Sequence, residues 1–399
     1  MGDARAILDL PSQGSDSKLK KMIIEIMVKP DRQADLARRT DLSAASVSAA
    51  IKELTNKGLV ETEKGSGSSG KSRGGKVQLR QLRGVVVGVD LGFNHISVVA
   101  RPVTSSFDQV VQRRETPGMN RGLRLLLPDV LNLIQDAVEE TGQKMTDVVT
   151  TGLAVPRMVD PLTGTFTPPV LAPWRAEDRP AQELSAKLGV PVAMDNDANL
   201  GALAEQTYGS DEAIEHVAYV KASTGVGVGI MIGSILLRGQ RGMAGELGHL
   251  TIEPDGEMCL CGGRGCLDTI VGAESLVAKA KQAQRGSSRD IPSTLSALVH
   301  NAQNGDAVCG RILNDAGRVL GFALAQLCNL INPRHIILGG ELAEAGHLVL
   351  DTCRQELTRY ALTGTVHQDG DFELRTSALS PFAEAQGALI LGLQSRSSK

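Results

Sequence analysis

Residues 42–61 read LSAASVSAAIKELTNKGLVE. Ser43 carries a hydroxyl suited to capping a helix N-terminus, and Val47, Ala50, Ile51 and Leu54 recur on one face at helical spacing. Gly58 stands where a left-handed residue closes a helix, and Leu59 to Thr62 follow with the pattern of a strand. The first turns of this helix expose only small side chains: Ala44, Ala45, Ser46, Ser48 and Ala49. A helix that enters a major groove end-on needs such close approach, and Ser46 and Ser48 offer hydroxyls to base edges or phosphates. Lys52 and Lys57 sit where phosphates would lie.

Working outward toward the N-terminus, Lys18–Val28 places Leu19, Met22, Ile23, Ile26 and Met27 on one face and its lysines on the other. Asp31 precedes a second helical stretch in which Ala34, Leu36 and Ala37 face inward, and a break at Asp41-Leu42 leads into the helix above. Two helices joined by a short turn give a helix-turn-helix. Toward the C-terminus, a Gly/Ser tip carries Lys64, Lys71, Arg73 and Lys76 before a returning strand at Val77–Leu79. Flanking strands and a positive tip read as a wing touching the DNA backbone or minor groove; an interdomain linker is the alternative. The module as a whole is read as a winged helix-turn-helix, with a helical bundle lacking any DNA role as the other possibility. The expected DNA-contacting set is Ala44, Ala45, Ser46, Ser48, Ala49, Lys52, Arg73 and Lys76.

Charge supports a polyanion partner at one end only. Residues 17–83 hold 15 Lys+Arg against 7 Asp+Glu, while residues 84–399 carry a net −9 within an overall −3. At 399 residues, with 42% hydrophobic and 44 glycines, the chain suits two or three α/β-type domains. The expected division is a tail over 1–16, the DNA-binding module over 17–83 and a large domain over 84–399. MGDARAILDL lacks a basic-then-apolar signal, no run is long enough to span a membrane, and six Cys are too few for a disulfide scaffold. A cytoplasmic protein without membrane partners is expected.

From Gly84 strands and helices alternate. VVVGVDLG, HISVVARPV and QVVQRRE read as strands, Leu123–Glu140 as a helix and Val148–Ala154 as another strand, which predicts a layered α/β fold. The strand–turn–strand opening recurs at Val217–Lys221 and Val226–Ile232, suggesting two similar lobes around a cleft. His249, Cys259, Cys261 and Cys266 give H-x9-C-x-C-x4-C, a closed donor set suited to structural zinc, with no position left for an activated water. Gly262, Gly263 and Gly265 let the chain wrap tightly. Unliganded thiols and a histidine serving elsewhere are the alternative. Cys309, Cys328 and Cys353 read as core residues.

The segment GELGHLTIEPDGEMCLCGGRGCLD, with GVDLG, MDNDANLGALAE, STGVGVGIMIG and NPRHIILGG in matching order, resembles the ROK family of repressors and sugar kinases over Gly84 to about Leu393. The front end is similar to that of the family's regulators. The resemblance implies a two-lobed, actin-like ATPase (sugar-kinase-like) fold, assembled as homodimers or homotetramers. It places Asn196, Asp197, Glu246, His249 and Asp268 at sugar-contacting positions, with Asp197 the general base if the chain is a kinase. The donor set suits a ring of hydroxyls, and His249 can serve zinc with one ring nitrogen and a sugar hydroxyl with the other.

Three departures bear on function. Asp268 replaces the family's usual Glu, and Arg157 stands where a Gly is usual, so it blocks a standard hexose, recognises a phosphate or acid, or is simply solvated. Asp90-Leu91-Gly92 continues with Phe93-Asn94-His95 rather than Gly-Thr, which alters the first phosphate turn. Asp90, Gly92, Thr224, Gly225, Gly339 and Gly340 are then a vestigial nucleotide set, and ATP with Mg²⁺ is not expected as a working cofactor. The expected function is a transcription regulator whose affinity for an inverted-repeat operator in double-stranded DNA changes when a sugar or sugar phosphate binds. A sugar kinase with a DNA-binding appendage is the alternative, and a purely structural zinc protein ranks last.

Overall fold

The computed structural model describes residues 2–9, 15–40, 42–63, 75–80, 82–106, 110–170, 173–210, 214–233, 235–283, 291–366 and 372–396. The chain forms two compact units. One comprises residues 1–156, 177–195 and 384–399; the other comprises 157–176 and 196–383. Among the described residues no helix is long and apolar enough to cross a membrane.

The first unit opens with β1 (Gly2–Asp3) and α1 (Ala4–Leu8), inside the stretch read as a tail. Helices α2 (Ser15–Val28), α3 (Gln33–Thr40) and α4 (Ala44–Asn56) follow, then the antiparallel pair β2 (Val60–Thr62) and β3 (Val77–Leu79). The expected apolar faces of α2 and α4 are buried. Two side chains depart from the sequence reading. Lys20 of α2 is buried at 3 % exposure rather than facing water. On α3, Ala34 is exposed and Thr40 takes its place inside, its hydroxyl spent on the Leu36 carbonyl at 2.7 Å. The wing tip with Lys64, Lys71 and Arg73 lies outside the described residues.

Strand β4 (Leu82–Arg83) pairs in parallel with β1 and leads into a five-stranded sheet. Its strands are β5 (Val85–Leu91), β6 (Ile96–Pro102), β7 (Val111–Glu115), β8 (Val148–Val155) and β9 (Val192–Asn196), in the order β7-β6-β5-β8-β9. Helices α5 (Leu123–Glu140) and α6 (Pro180–Leu188) belong to the same unit. Gly88 of β5 and Gly152 of β8 are partners in register, and both face the C-terminal helix. A Cβ at either would lie 1.9 Å from the Ala385 carbonyl oxygen or 1.7 Å from that of Ala388, so only glycine admits that helix.

The second unit carries α7 (Asp197–Tyr208) and the strands β10 (His216–Ala222), β11 (Val226–Ile232) and β12 (Ile235–Leu236). Short helices α8 (Leu267–Val271), α9 (Ala273–Ala283) and α10 (Leu295–Gln303) precede the 25-residue α11 (Ala307–Ile331). Then come β13 (His335–Gly339), α12 (His347–Tyr360), α13 (Thr363–Val366), β14 (Glu373–Thr376) and α14 (Ala383–Gln394), the last of which packs in the first unit from Glu384 on. The sheet order is β12-β11-β10-β13-β14. Each sheet therefore reads third, second, first, fourth, fifth strand, which is the repeated topology that the duplicated strand–turn–strand opening predicts. Buried Leu313, Leu320, Leu324, Val349, Cys309, Cys328 and Cys353 join α11 and α12 in the core, so these three cysteines are interior residues as expected.

Candidate functional site

The recognition-type helix α4 is built as its sequence requires. The Ser43 hydroxyl accepts from the Ser46 amide at 3.2 Å, and Gly58 adopts φ +70° beyond the last turn. With Val47, Ala50, Ile51 and Leu54 buried, Ala44, Ala45, Ser48, Ala49 and Lys52 form one exposed face, and Lys76 is exposed beside β3. Ser46 is less available than its sequence position suggests, because its hydroxyl also bonds that of Ser43 at 3.0 Å. Lys57 pairs with Glu53 at 2.8 Å.

In the second unit, residues 249–266 form a tight hairpin. Thr251 bridges Cys266 and Met258 bridges Arg264, while Gly262 and Gly265 take φ of +91° and +61°. A Cβ on Gly265 would collide with the Glu253 carbonyl oxygen. This fold brings one donor atom each from His249, Cys259, Cys261 and Cys266 within 4.8 Å of one another. Cys259 Sγ lies 3.7 Å from His249 Nδ1, and Cys261 Sγ lies 3.7 Å from Cys266 Sγ. A tetrahedral ion with Zn–S bonds of about 2.3 Å has an edge of about 3.8 Å between sulfurs, so the spacing fits. Burial and the neighbouring thiols push the Cys266 thiol up to about 12. Burial also raises the Cys259 thiol, whereas the Gly263 amide lowers that of Cys261, and a bound cation would stabilise all three as thiolates. The set can hold a metal ion.

The metal-type hairpin and the polar set share His249. Its Nε2 lies 3.8 Å from Glu246 Oε2 and its Nδ1 lies 4.0 Å from Asp268 Oδ2. Asn196 caps α7, accepting from the Asn199 amide at 3.2 Å, and its amide donates to the Arg157 carbonyl at 3.3 Å. Asp268 accepts from the Val226 amide at 2.7 Å, which ties the start of α8 to the turn between β10 and β11. Burial, then the carboxylates of Asp197 and Asp268, push the Glu246 carboxyl up to about 7, with Arg157 pulling it down. Burial likewise raises Asp268, opposed by the Val226 amide and His249. Burial lowers the Arg157 guanidinium from its ordinary value, opposed by Asp197 and Glu246. Thus Asn196, Asp197, Glu246, His249, Asp268 and Arg157 form one mixed-charge cluster within a single unit.

One member went unnoticed in the sequence. Lys221 of β10 meets Asp197 Oδ2 at 2.7 Å, both side chains being about nine-tenths buried. Its signal was a lone charge in an otherwise buried strand, VAYVKAS. A comparable pairing occurs in the first unit, where His95 Nε2 lies 2.7 Å from Asp90 Oδ2. His95 also packs on the turn, since a Cβ at Gly92 would lie 2.2 Å from its ring. The remaining expected nucleotide residues, Thr224, Gly225, Gly339 and Gly340, belong to the second unit. There Lys221 and Gly339 are register partners, so the two turns leave neighbouring strands side by side.

The ROK family profile matches residues 86–395, and a MarR family profile matches residues 23–70. The xylose repressor of Bacillus subtilis is 28% identical over 390 residues, covering 95% of this chain and 96% of its own. A glucokinase of Halalkalibacterium halodurans is 30% identical over 302 residues, covering 73% of this chain and 90% of its own. Among solved structures, a ROK family transcriptional regulator described as a homologue of the Escherichia coli MLC protein superposes with a TM-score of 0.71 at 21% identity. That match covers 96% of this chain and 97% of the other and speaks to the fold.

Proposed function

The chain belongs to the ROK family, and from that premise we propose that it is a cytoplasmic, sugar-responsive transcription regulator. The observation that carries this reading is the N-terminal winged helix, which the MarR family profile matches over residues 23–70 and which the repressor match, covering 95% of this chain, takes in. The exposed small-residue face of α4 would enter the major groove, with Lys52, Lys76 and the wing arginine Arg73 on phosphates. Asn196, Asp197, Glu246, His249 and Asp268 would take the hydroxyls of a sugar or sugar phosphate, and Arg157 lies close enough to Asp197 and Glu246 to influence which ligand is accepted. His249, Cys259, Cys261 and Cys266 would hold zinc, which supplies a fixed hairpin rather than reactive chemistry. Glu246 then faces the other nitrogen of His249, so the pocket's shape depends on the hairpin.

The experiment is a titration of the gene's own upstream DNA with the full-length protein, in the presence and absence of D-xylose, D-glucose, N-acetyl-D-glucosamine and their phosphates. A shifted binding curve is expected with one of these ligands. Specific DNA binding absent under all conditions would overturn the reading.

The glucokinase likeness keeps a second reading in view, a sugar kinase with a DNA-binding appendage. Against it stand two pairings. Asp197, which would be the base, is engaged by Lys221, and Asp90 of the altered first turn is engaged by His95. Phosphoryl transfer depends on carboxylates placed for metal and nucleophile, and both are committed elsewhere. ADP release dependent on sugar and abolished by Asp197→Asn would favour the kinase.

A further inference from the structure

Strand β6 fills the first unit's core with Val98, Val99 and Ala100, and the residue that follows is Arg101, at 0 % exposure. A guanidinium removed from water is costly, and an aliphatic side chain would pack there more cheaply. What the arginine reaches explains its presence. Its Nη1 donates to the Val28 carbonyl at 3.2 Å and its Nη2 to that of Met27. These are among the last carbonyls of α2, which no amide within the helix can satisfy, and a cation is favoured at that end of the dipole. Arg39 of α3 holds the carbonyls on either side, Glu25 at 2.9 Å and Lys29 at 2.6 Å. The end of α2 is therefore shared between an arginine of the DNA-binding module and an arginine of the large domain.

Both ends of this link lead somewhere. Helix α2 packs against α3, α4 and β3, so it is the platform under the recognition-type helix. Strand β6 begins at Ile96, directly after the turn where His95 meets Asp90. Asp90 pairs with Ser97 and Val86 with Arg101 in one unbroken antiparallel ladder, so the turn and Arg101 occupy opposite ends of a single hairpin. A second tie holds the same junction: Arg5 of α1 donates to the Thr146 and Val148 carbonyls at 3.0 and 2.6 Å, and Asp9 pairs with Arg396.

We infer that Arg101 is the positioning residue through which the large domain's state reaches the DNA-binding module, by locking α2 to β6 so that both move as one body. This rests on the regulator reading. It differs from a tethered head that swings freely, because the connection runs through buried bonds from a side chain to helix carbonyls rather than through a linker.

The test uses full-length Arg101→Met and Arg101→Gln, which keep the side chain's length or a single donor. Zinc content, sugar affinity and operator affinity without sugar are expected to stay within about two-fold of wild type. The ratio of operator affinities with and without sugar, read with the same panel of sugars, is expected to fall by about ten-fold toward unity. Hydrogen exchange of amides in residues 15–56 should quicken by about ten-fold or more while β5 and β8 stay protected. A wild-type ratio in either variant, with residues 15–56 as protected as before, would overturn the proposal. If wild type shows no specific DNA binding, the regulator reading fails on its own; there, or if no sugar in the panel shifts wild type, the exchange arm alone decides whether Arg101 joins the two parts. Should Arg101→Met fail to fold, Arg101→Gln carries both arms.

Discussion

Lys221 and Asp197 illustrate how little a single residue means until its partner is known. Asp197 is 5 % exposed and Lys221 8 %, and each partners the other where a lone buried charge would be costly. Removing only the cation leaves an uncompensated buried charge, so Lys221→Met should lower stability by about 3 kcal/mol or more. Urea denaturation of Lys221→Met, Asp197→Asn and the double variant measures this as a cycle. The double variant should recover part of the loss, and strictly additive effects would show that the ion pair contributes nothing. The metal-type donors were legible because four ligand types at short spacing have few other uses. Lys221, His95 and Arg101 were not, because each finds its partner 5 to 74 positions away, through pairings that only the folded sheets create. For Lys221 and Arg101 the trace left in the sequence is a charged residue interrupting a buried strand, and for His95 it is a polar residue just before one. That marks an obligation to find a partner without saying which.

At the scale of elements, the periodic signals translated directly. The helix of residues 123–140 and the strand of residues 226–232 have the bounds their patterns predict, since burial on one face or on both sides of a sheet leaves a regular imprint. Helix α3 misled because its interior position belongs to Thr40, whose hydroxyl is neutralised by its own helix and so packs like an apolar group. On α4 the cap and the reading face can be separated experimentally. Ser43→Ala should cost about 1 kcal/mol, seen as a lowered melting temperature. Ala45→Phe should leave that temperature unchanged, because Ala45 is exposed, yet abolish specific DNA binding by holding the helix away from the groove. Retained operator affinity in Ala45→Phe would mean that another surface reads the DNA. The hairpin of residues 249–266 makes a complementary case. Cys261→Ser should reduce bound zinc from about one per chain to nearly none and remove the sugar response, since Glu246 faces the ring of His249. Elemental analysis and the DNA titration read the two effects separately, and a normal sugar response without metal would disconnect the hairpin from the pocket.

For the whole molecule, the decisive feature is that the winged helix belongs to the same compact unit as the first five-stranded sheet. Had it been joined by a loose linker, two copies could adjust to many spacings on DNA. Held by Arg101, by the β1–β4 pairing and by Arg5, it has little freedom of its own. Assembly as a dimer, which the family membership leads us to propose, would then fix the distance and rotation between two recognition helices. A rigid pair of readers requires half-sites on one face of the duplex, about one helical turn or a multiple apart. Inserting about 5 bp at the centre of the operator would rotate one half-site to the opposite face, and inserting about 10 bp would restore the facing while lengthening the span. The prediction is a loss of affinity of about 100-fold for the first insertion, comparable to reducing the site to one half, measured by the same titration. Only a partial recovery is expected for the second, because rigid arms cannot reach further. Equal affinity for all three operators would mean that the modules move independently, and would count against the shared body that the buried bonds of Arg101 describe.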